Sequence, residues 1–367
     1  MPKRDHQDIT DASSSSTNTL KKSRSNQHTA DCSDKLCQGC DVGQVEISFV
    51  RKDGVSMEPS AQELLAMAME EASANPDVAG RLFDMAIEKF QKEEPENRTG
   101  YAVCLVELGK ALDVEESISE GLEILRGEFK TTKDLKLASA AIVLATHLRK
   151  AQEAYFEQQA QELEGSDGEI EDEIAYSELL QKQEVSKREI KLYKEAIEHT
   201  KEAQMDDLKE MLTTLHELRT YGQLLSQPFH KEHSDAVLGT VTDVIKTIPD
   251  YEKDDELLNL YASCLLHQEK FLEEVEEKNK MLEEAEKLLV ASNRLHKEKH
   301  GEENPRVLEM FAMLRINQSN LTEDEDQTLD LFEDAINAFK KAAKLSPDNP
   351  KLTEMVNMLQ GLQEQQE

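Results

Sequence analysis

One spacing constrains this chain more than any other feature: Ala335-x3-Phe339-x2-Ala342, followed by Pro347. A small residue, a large one four positions later and a small one three after that share one face of an α-helix. The small residues let a second helix approach closely, and the large one fills the gap between the two axes. Ala79-x3-Phe83-x2-Ala86 repeats the spacing without the proline in register, and Ala196-x3-Thr200-x2-Ala203 echoes it more weakly. Leu105-x2-Leu108-Gly109-x2-Leu112 supplies the complementary pattern, a leucine stripe interrupted by glycine, as the first helix of such a pair requires. Recurrence at irregular intervals predicts a row of helix pairs that have diverged or taken up insertions.

The rest of the chain agrees with that reading. From Ala61 onward apolar residues fall at i, i+3, i+4 spacing: Leu64, Leu65, Ala68 and Met69 on a first helix, then Leu82, Phe83, Ala86, Ile87 and Phe90 on a second. Asn75-Pro76 reads as a cap followed by a first-turn proline, and Pro95 as a stop. Leu137 to Ala145 is apolar on every side, which predicts a helix buried all round, continuing past Tyr155 and Phe156. It ends in the acidic run Glu162 to Glu173, where Gly165 and Gly168 break it. Helical patterning then resumes to about Gln360, including the charged stretch Lys270 to Lys299. Gly and Pro together number 23 and Trp is absent, which suits a helical chain. The expected fold is therefore all-α, a degenerate tetratricopeptide-like α-solenoid with a disordered N-terminal tail. Its parts are a tail (1–60), N-terminal helical repeats (61–163), an acidic linker (164–175) and C-terminal helical repeats (176–360). Within the tail, Val45, Ile47 and Phe49 alternate and could form one short strand or a docking peptide.

The formal charge of −33 is concentrated in the body. Residues 1 to 60 carry 8 basic and 9 acidic groups, leaving 35 basic against 67 acidic in the remainder. Such a surface repels phosphate backbones, so no direct nucleic-acid binding is expected, and basic proteins are the partners that long-range electrostatics favours. The same acidity also serves simple solubility. No apolar run is long enough to span a membrane and the N-terminus lacks a signal peptide's apolar stretch, so the expectation is an intracellular protein.

The motifs of common enzyme chemistry are missing. Fourteen glycines include no Gly-x-Gly, and neither a phosphate-binding loop, a Gly-x-Ser-x-Gly elbow nor a His-Glu-x-x-His helix can be written. The chain reads as a non-enzymatic, protein-binding scaffold with no cofactor. His296-x3-His300 has metal-capable spacing, but Lys297 stands where a zinc protease carries Glu. That pair, with His230 and His233 beside a Pro-Phe turn, reads as solvated. Cys104 and Cys264 sit in apolar helical stretches and read as core residues. Cys32-x4-Cys37-x2-Cys40, with His28 ahead, could complete a tetrahedral zinc shell or match an iron-sulfur loop spacing. Its low-complexity setting favours an unstructured, reducible cluster instead. Two basic clusters of the tail, Lys3-Arg4 and Lys21-Lys22-Ser23-Arg24, are of the kind nuclear import receptors read in extended segments.

The basic Met-Pro-Lys-Arg start, the Lys-Lys-Ser-Arg cluster, the short leader and the degenerate repeats of an acidic body together resemble the fungal enhancer-of-translation-termination family. That family includes the nuclear negative regulator of a prolyl-hydroxylase-like dioxygenase. The resemblance implies a nuclear adaptor, shared with the cytoplasm, that binds a 2-oxoglutarate dioxygenase and influences stop-codon recognition and oxygen-responsive transcription. The alternative expectation is an acidic tetratricopeptide histone chaperone, for which Glu162 to Glu173 would be the acidic segment.

Overall fold

The computed structural model describes residues 58–164, 183–203 and 207–364. The tail up to residue 57 lies outside these. So do the acidic segment 165–175, the strand expected at Val45 to Phe49, and the cluster Cys32, Cys37 and Cys40. The described residues form thirteen α-helices and three short 3-10 turns, with no strand among them. They belong to two compact units, Met1–Pro95 and Glu96–Glu367.

In the first unit α1 (Ala61–Glu71) and α2 (Pro76–Lys92) form a hairpin. Ser60 and Glu63 make a capping box at its start: Glu63 N donates to Ser60 Oγ at 3.3 Å and Ser60 N to Glu63 Oε2 at 2.8 Å. Leu64, Leu65 and Ala68 meet Ala79, Leu82, Phe83, Ala86 and Phe90 in a closed core. One expectation fails at this hairpin. Met69 is 48% exposed, because the stripe is wider than the one face α2 covers. Asn75 is the N-cap and Pro76 the first helical residue, as their order predicts; the Asn75 carbonyl accepts Ala79 N at 2.9 Å, while its side-chain amide donates to Glu71 Oε2 at 2.9 Å instead of capping the helix.

The second unit is a row of hairpins: α3 (Arg98–Leu112) with α4 (Glu115–Glu128), α5 (Leu135–Glu164) with α6 (Lys187–Glu202), and α7 (Leu208–Leu224) with α8 (Lys231–Thr247). They are followed by α9 (Asp255–Gln268) with α10 (Val275–His300) and α11 (Pro305–Ser319) with α12 (Glu325–Leu345), and α13 (Pro350–Glu364) packs on α12. The first helices also pack on one another in order, α3 on α5, α5 on α7, α7 on α9 and α9 on α11, and so make one continuous layer. Short polar side chains fix where several helices start, since Asp207, Asp254, Asn304 and Asp324 each accept a backbone N–H of the first turn. This is an all-α helical repeat.

The small–large–small positions do what their spacing demands. Ala335, Phe339 and Ala342 on α12 and Ala79, Phe83 and Ala86 on α2 are all fully buried on the second helix of a hairpin. Gly109 lets α3 meet α4. A Cβ there would stand 2.6 Å from the Val114 carbonyl oxygen and 2.9 Å from the Ile118 amide nitrogen, both backbone atoms that cannot move aside cheaply. One apolar core runs from Ala102 to Leu314, and a second joins α11, α12 and α13. The middle of α5 is covered on all sides, as its sequence predicts, and α9 is equally enclosed between α7, α8, α10 and α11.

A buried polar knot joins α5, α6 and α7 in this core. Arg149 of α5 and Glu189 of α6 are each about 1% exposed. Arg149 Nε donates to Glu189 Oε1 at 2.9 Å, and Nη2 sits 2.8 Å from the same oxygen, within ion-pair reach but off hydrogen-bond geometry. Arg149 Nη1 donates to the Gln183 carbonyl at 3.0 Å. Glu189 uses its other oxygen to cap α6, accepting Ser186 N at 3.0 Å, and Tyr221 of α7 donates to Oε1 at 3.5 Å. His230, expected to be solvated, is 2% exposed. Its Nε2 lies 2.7 Å from the same Gln183 carbonyl, so the Pro-Phe turn before α8 is pinned inward. His233 is likewise engaged, with Nδ1 2.7 Å from the Tyr193 hydroxyl.

Candidate protein-binding groove

The layer of first helices carries an open cavity of about 380 Å³ between α3, α5 and α7. Ile118 and Val143 form its apolar floor, and Thr146, Thr213 and Thr220 line its sides. Each of these threonines turns its hydroxyl back to the carbonyl four residues earlier, as Thr213 does to Lys209 at 3.0 Å and Thr220 to His216 at 2.8 Å.

Around this floor the charged groups are paired across helices. Lys110 of α3 reaches Glu217 of α7 at 2.7 Å, and Ser139 of α5 donates to the same carboxylate. Burial alone would lower the Lys110 pKa, but Glu217 and Glu107 outweigh it and hold the ammonium above its usual range. Glu107, below it, is pushed up by burial. Asp113 adopts the left-handed conformation at the end of α3, φ 58°, a geometry Asp tolerates. Its carboxylate lies 2.9 Å from His147 Nδ1. His216 Nε2 lies 3.0 Å from Glu256 of α9. In a body with 67 carboxylates, Glu217 at this cavity is paired with Lys110, and Asp113 and Glu256 each lie against an imidazole.

One turn further along α7 stands the odd group of the layer. Arg219 donates to Gln223 Oε1 at 3.1 Å and to Ser263 of α9 at 3.3 Å, both neutral, and its Nε has no hydrogen-bond partner. Among the described residues no carboxylate lies within ion-pair distance of it. Burial depresses its pKa, and Arg306 at the start of α11 pushes in the same direction. The Asn259 Oδ1 atom of α9 is also buried without a donor. The Arg219 guanidinium is thus half-buried among neutral groups in a strongly acidic chain.

Lys3, Arg4, Lys21, Lys22 and Arg24 lie outside the described residues. Lys110, His147, Lys150 and His216 are brought together instead from three helices, with Arg219 next to the lining Thr220 on α7, and no sequence motif marks them. Cys104 and Cys264 are buried as expected, and enclosure pushes the Cys264 thiol up to about 12. No helix among the described residues is long and apolar enough to cross a membrane.

No protein-family model matches the chain. No curated protein matches it either. Among the solved structures to which it is similar are two of one protein. One is the S. pombe nuclear import adaptor Nro1, at 13% identity and a TM-score of 0.42, covering 81% of this chain and 97% of that one. The other is described as the hypoxic regulator of sterol synthesis Nro1, a nuclear import adaptor, at the same identity and TM-score, covering 81% of this chain and 92% of that one.

Proposed function

We propose that this chain is a nuclear protein-binding adaptor whose layer of first helices seats a segment of a partner protein. The observation that carries the proposal is the open, apolar-floored cavity between α3, α5 and α7, with the unmatched Arg219 beside it. Ligand sites in helical arrays combine such a floor with a few convergent polar groups. Arg219 would take a carboxylate of the partner, an acidic side chain or a chain terminus.

The finer reading follows the resemblance in layout described above. The partner would be a 2-oxoglutarate dioxygenase, and through it the adaptor would influence translation termination and oxygen-responsive transcription. Nuclear entry would rest on Lys3, Arg4, Lys21, Lys22 and Arg24 in the tail. A histone chaperone is less well supported, because the cavity's Glu217 carboxylate is already paired with Lys110 and is not free for basic cargo.

One experiment addresses both halves. A tagged full-length chain and its Lys21→Ala, Lys22→Ala, Arg24→Ala variant are followed by fluorescence and by mass spectrometry of co-purifying proteins. The expected result is a nuclear wild type that captures a dioxygenase and a variant displaced to the cytoplasm. Core histones as the main captured proteins, or a variant still wholly nuclear, would overturn the corresponding half.

A further inference from the structure

The hairpin of α9 and α10 joins a histidine pair to an aspartate that the sequence keeps far from it. Asp255 is the first residue of α9, His300 is the last of α10, and His296 lies one turn before it. The two helices run antiparallel, so the start of one meets the end of the other. Ser292 of α10 fixes the register by donating to the Asp255 carbonyl at 2.7 Å. His296 Nδ1 then lies 2.9 Å from Asp255 Oδ2, and the His296 and His300 rings are 4.3 Å apart between centroids. One ligand atom from each of the three residues lies within 4.8 Å of the others.

We propose that Asp255, His296 and His300 form a binding site for a divalent metal ion of the zinc class. Two imidazoles and one carboxylate are a donor set that suits zinc, with bonds of about 2.0–2.2 Å and a fourth position left to water. Ligand atoms around such an ion stand closer together than 4.8 Å, so one side chain must close in. His300 is the one free to do so, being exposed and at the helix end, while Asp255 and His296 are held by packing. The end of α10 also favours a cation, since the last-turn carbonyls carry the negative end of the helix dipole.

The sequence alone argues against this site, because the residue between a zinc protease's histidines is Glu and here it is Lys297. That objection concerns catalysis. Binding needs only a third ligand, and the fold supplies it from 41 residues upstream. The ammonium of Lys299 lies 3.3 Å from Asp255 Oδ1 and would compete with an ion for that carboxylate. Its side chain is 63% exposed and can swing away. The site is separate from the groove and would clasp the α9–α10 hairpin.

The test is calorimetric titration of the full-length chain with ZnCl2. Cys32, Cys37 and Cys40 are replaced by Ser so that tail thiols cannot bind the ion. The expected result is a single saturable site of micromolar affinity or tighter, weakened at least ~10-fold by His300→Ala, by analogy with the loss seen when even an outer-shell partner of a metal ligand is removed. His300 is exposed, so the fold survives that change. Lys299→Ala should bind at least as tightly as its parent. Absence of saturable binding, equal affinity in His300→Ala, or weaker binding in Lys299→Ala would each overturn the proposal.

Discussion

Replacing Arg149 by Ala is expected to cost the second unit about 3–5 kcal/mol, the usual penalty for removing one member of a buried ion pair. The size follows from what is left behind. Glu189 would remain about 1% exposed with its Oε1 facing no cation, and the Gln183 carbonyl would keep only His230. Such a charge cannot be rehydrated without opening the contact of α5 with α6. A double change, Arg149→Leu with Glu189→Leu, removes both charges and should be milder than Arg149→Ala. It would still lose the Glu189 half of the capping box of α6, while Ser186 Oγ goes on accepting the backbone N–H of residue 189. Urea unfolding followed by far-ultraviolet circular dichroism measures both. A loss below about 1 kcal/mol for Arg149→Ala would mean that the pair is solvated and that the knot contributes little, as exposed pairs do.

The second large effect is expected in the groove. Thr213 and Thr220 are exposed on α7, and their hydroxyls bond only to their own helix. Trp at both positions should therefore leave the urea midpoint near that of the wild type while filling the cavity. Partner affinity should fall at least ~10-fold, a loss of about 1.4 kcal/mol. Arg219→Glu should do more, on the order of 100-fold, because it replaces a missing attraction with a like-charge contact worth several kcal/mol. Affinity of purified partner for each variant, measured by titration, checks both. Unchanged affinity in the double Trp variant would exclude the cavity as the seat of the partner.

The helices are legible in the sequence because burial of one face writes itself as periodicity. Phe83 and Phe339 announce their helix pairs, and Gly109 announces a close approach, since only a residue without Cβ fits there. Periodicity does not say how many neighbours a helix has, which is why it places Met69 in a core that stops short of it. The groove is illegible for a different reason. Lys110, Ser139 and Glu217 come from three helices and meet through one carboxylate, and nothing in their local sequence marks the meeting. His230 and His296 read as solvated for the same cause: Gln183 and Asp255, which hold them, lie 47 and 41 residues away. Polar partners at that range are fixed by packing, and packing is a property of the fold.

Hydrogen exchange on the full-length chain with and without its purified partner tests the central claim most directly. The expected result is new protection confined to the layer of first helices, on α3, α5 and α7 around the cavity and on α9 beside Arg219, with the tail unchanged. Protection confined to residues 1–57, or to the second helices α4, α6 and α8, would contradict it.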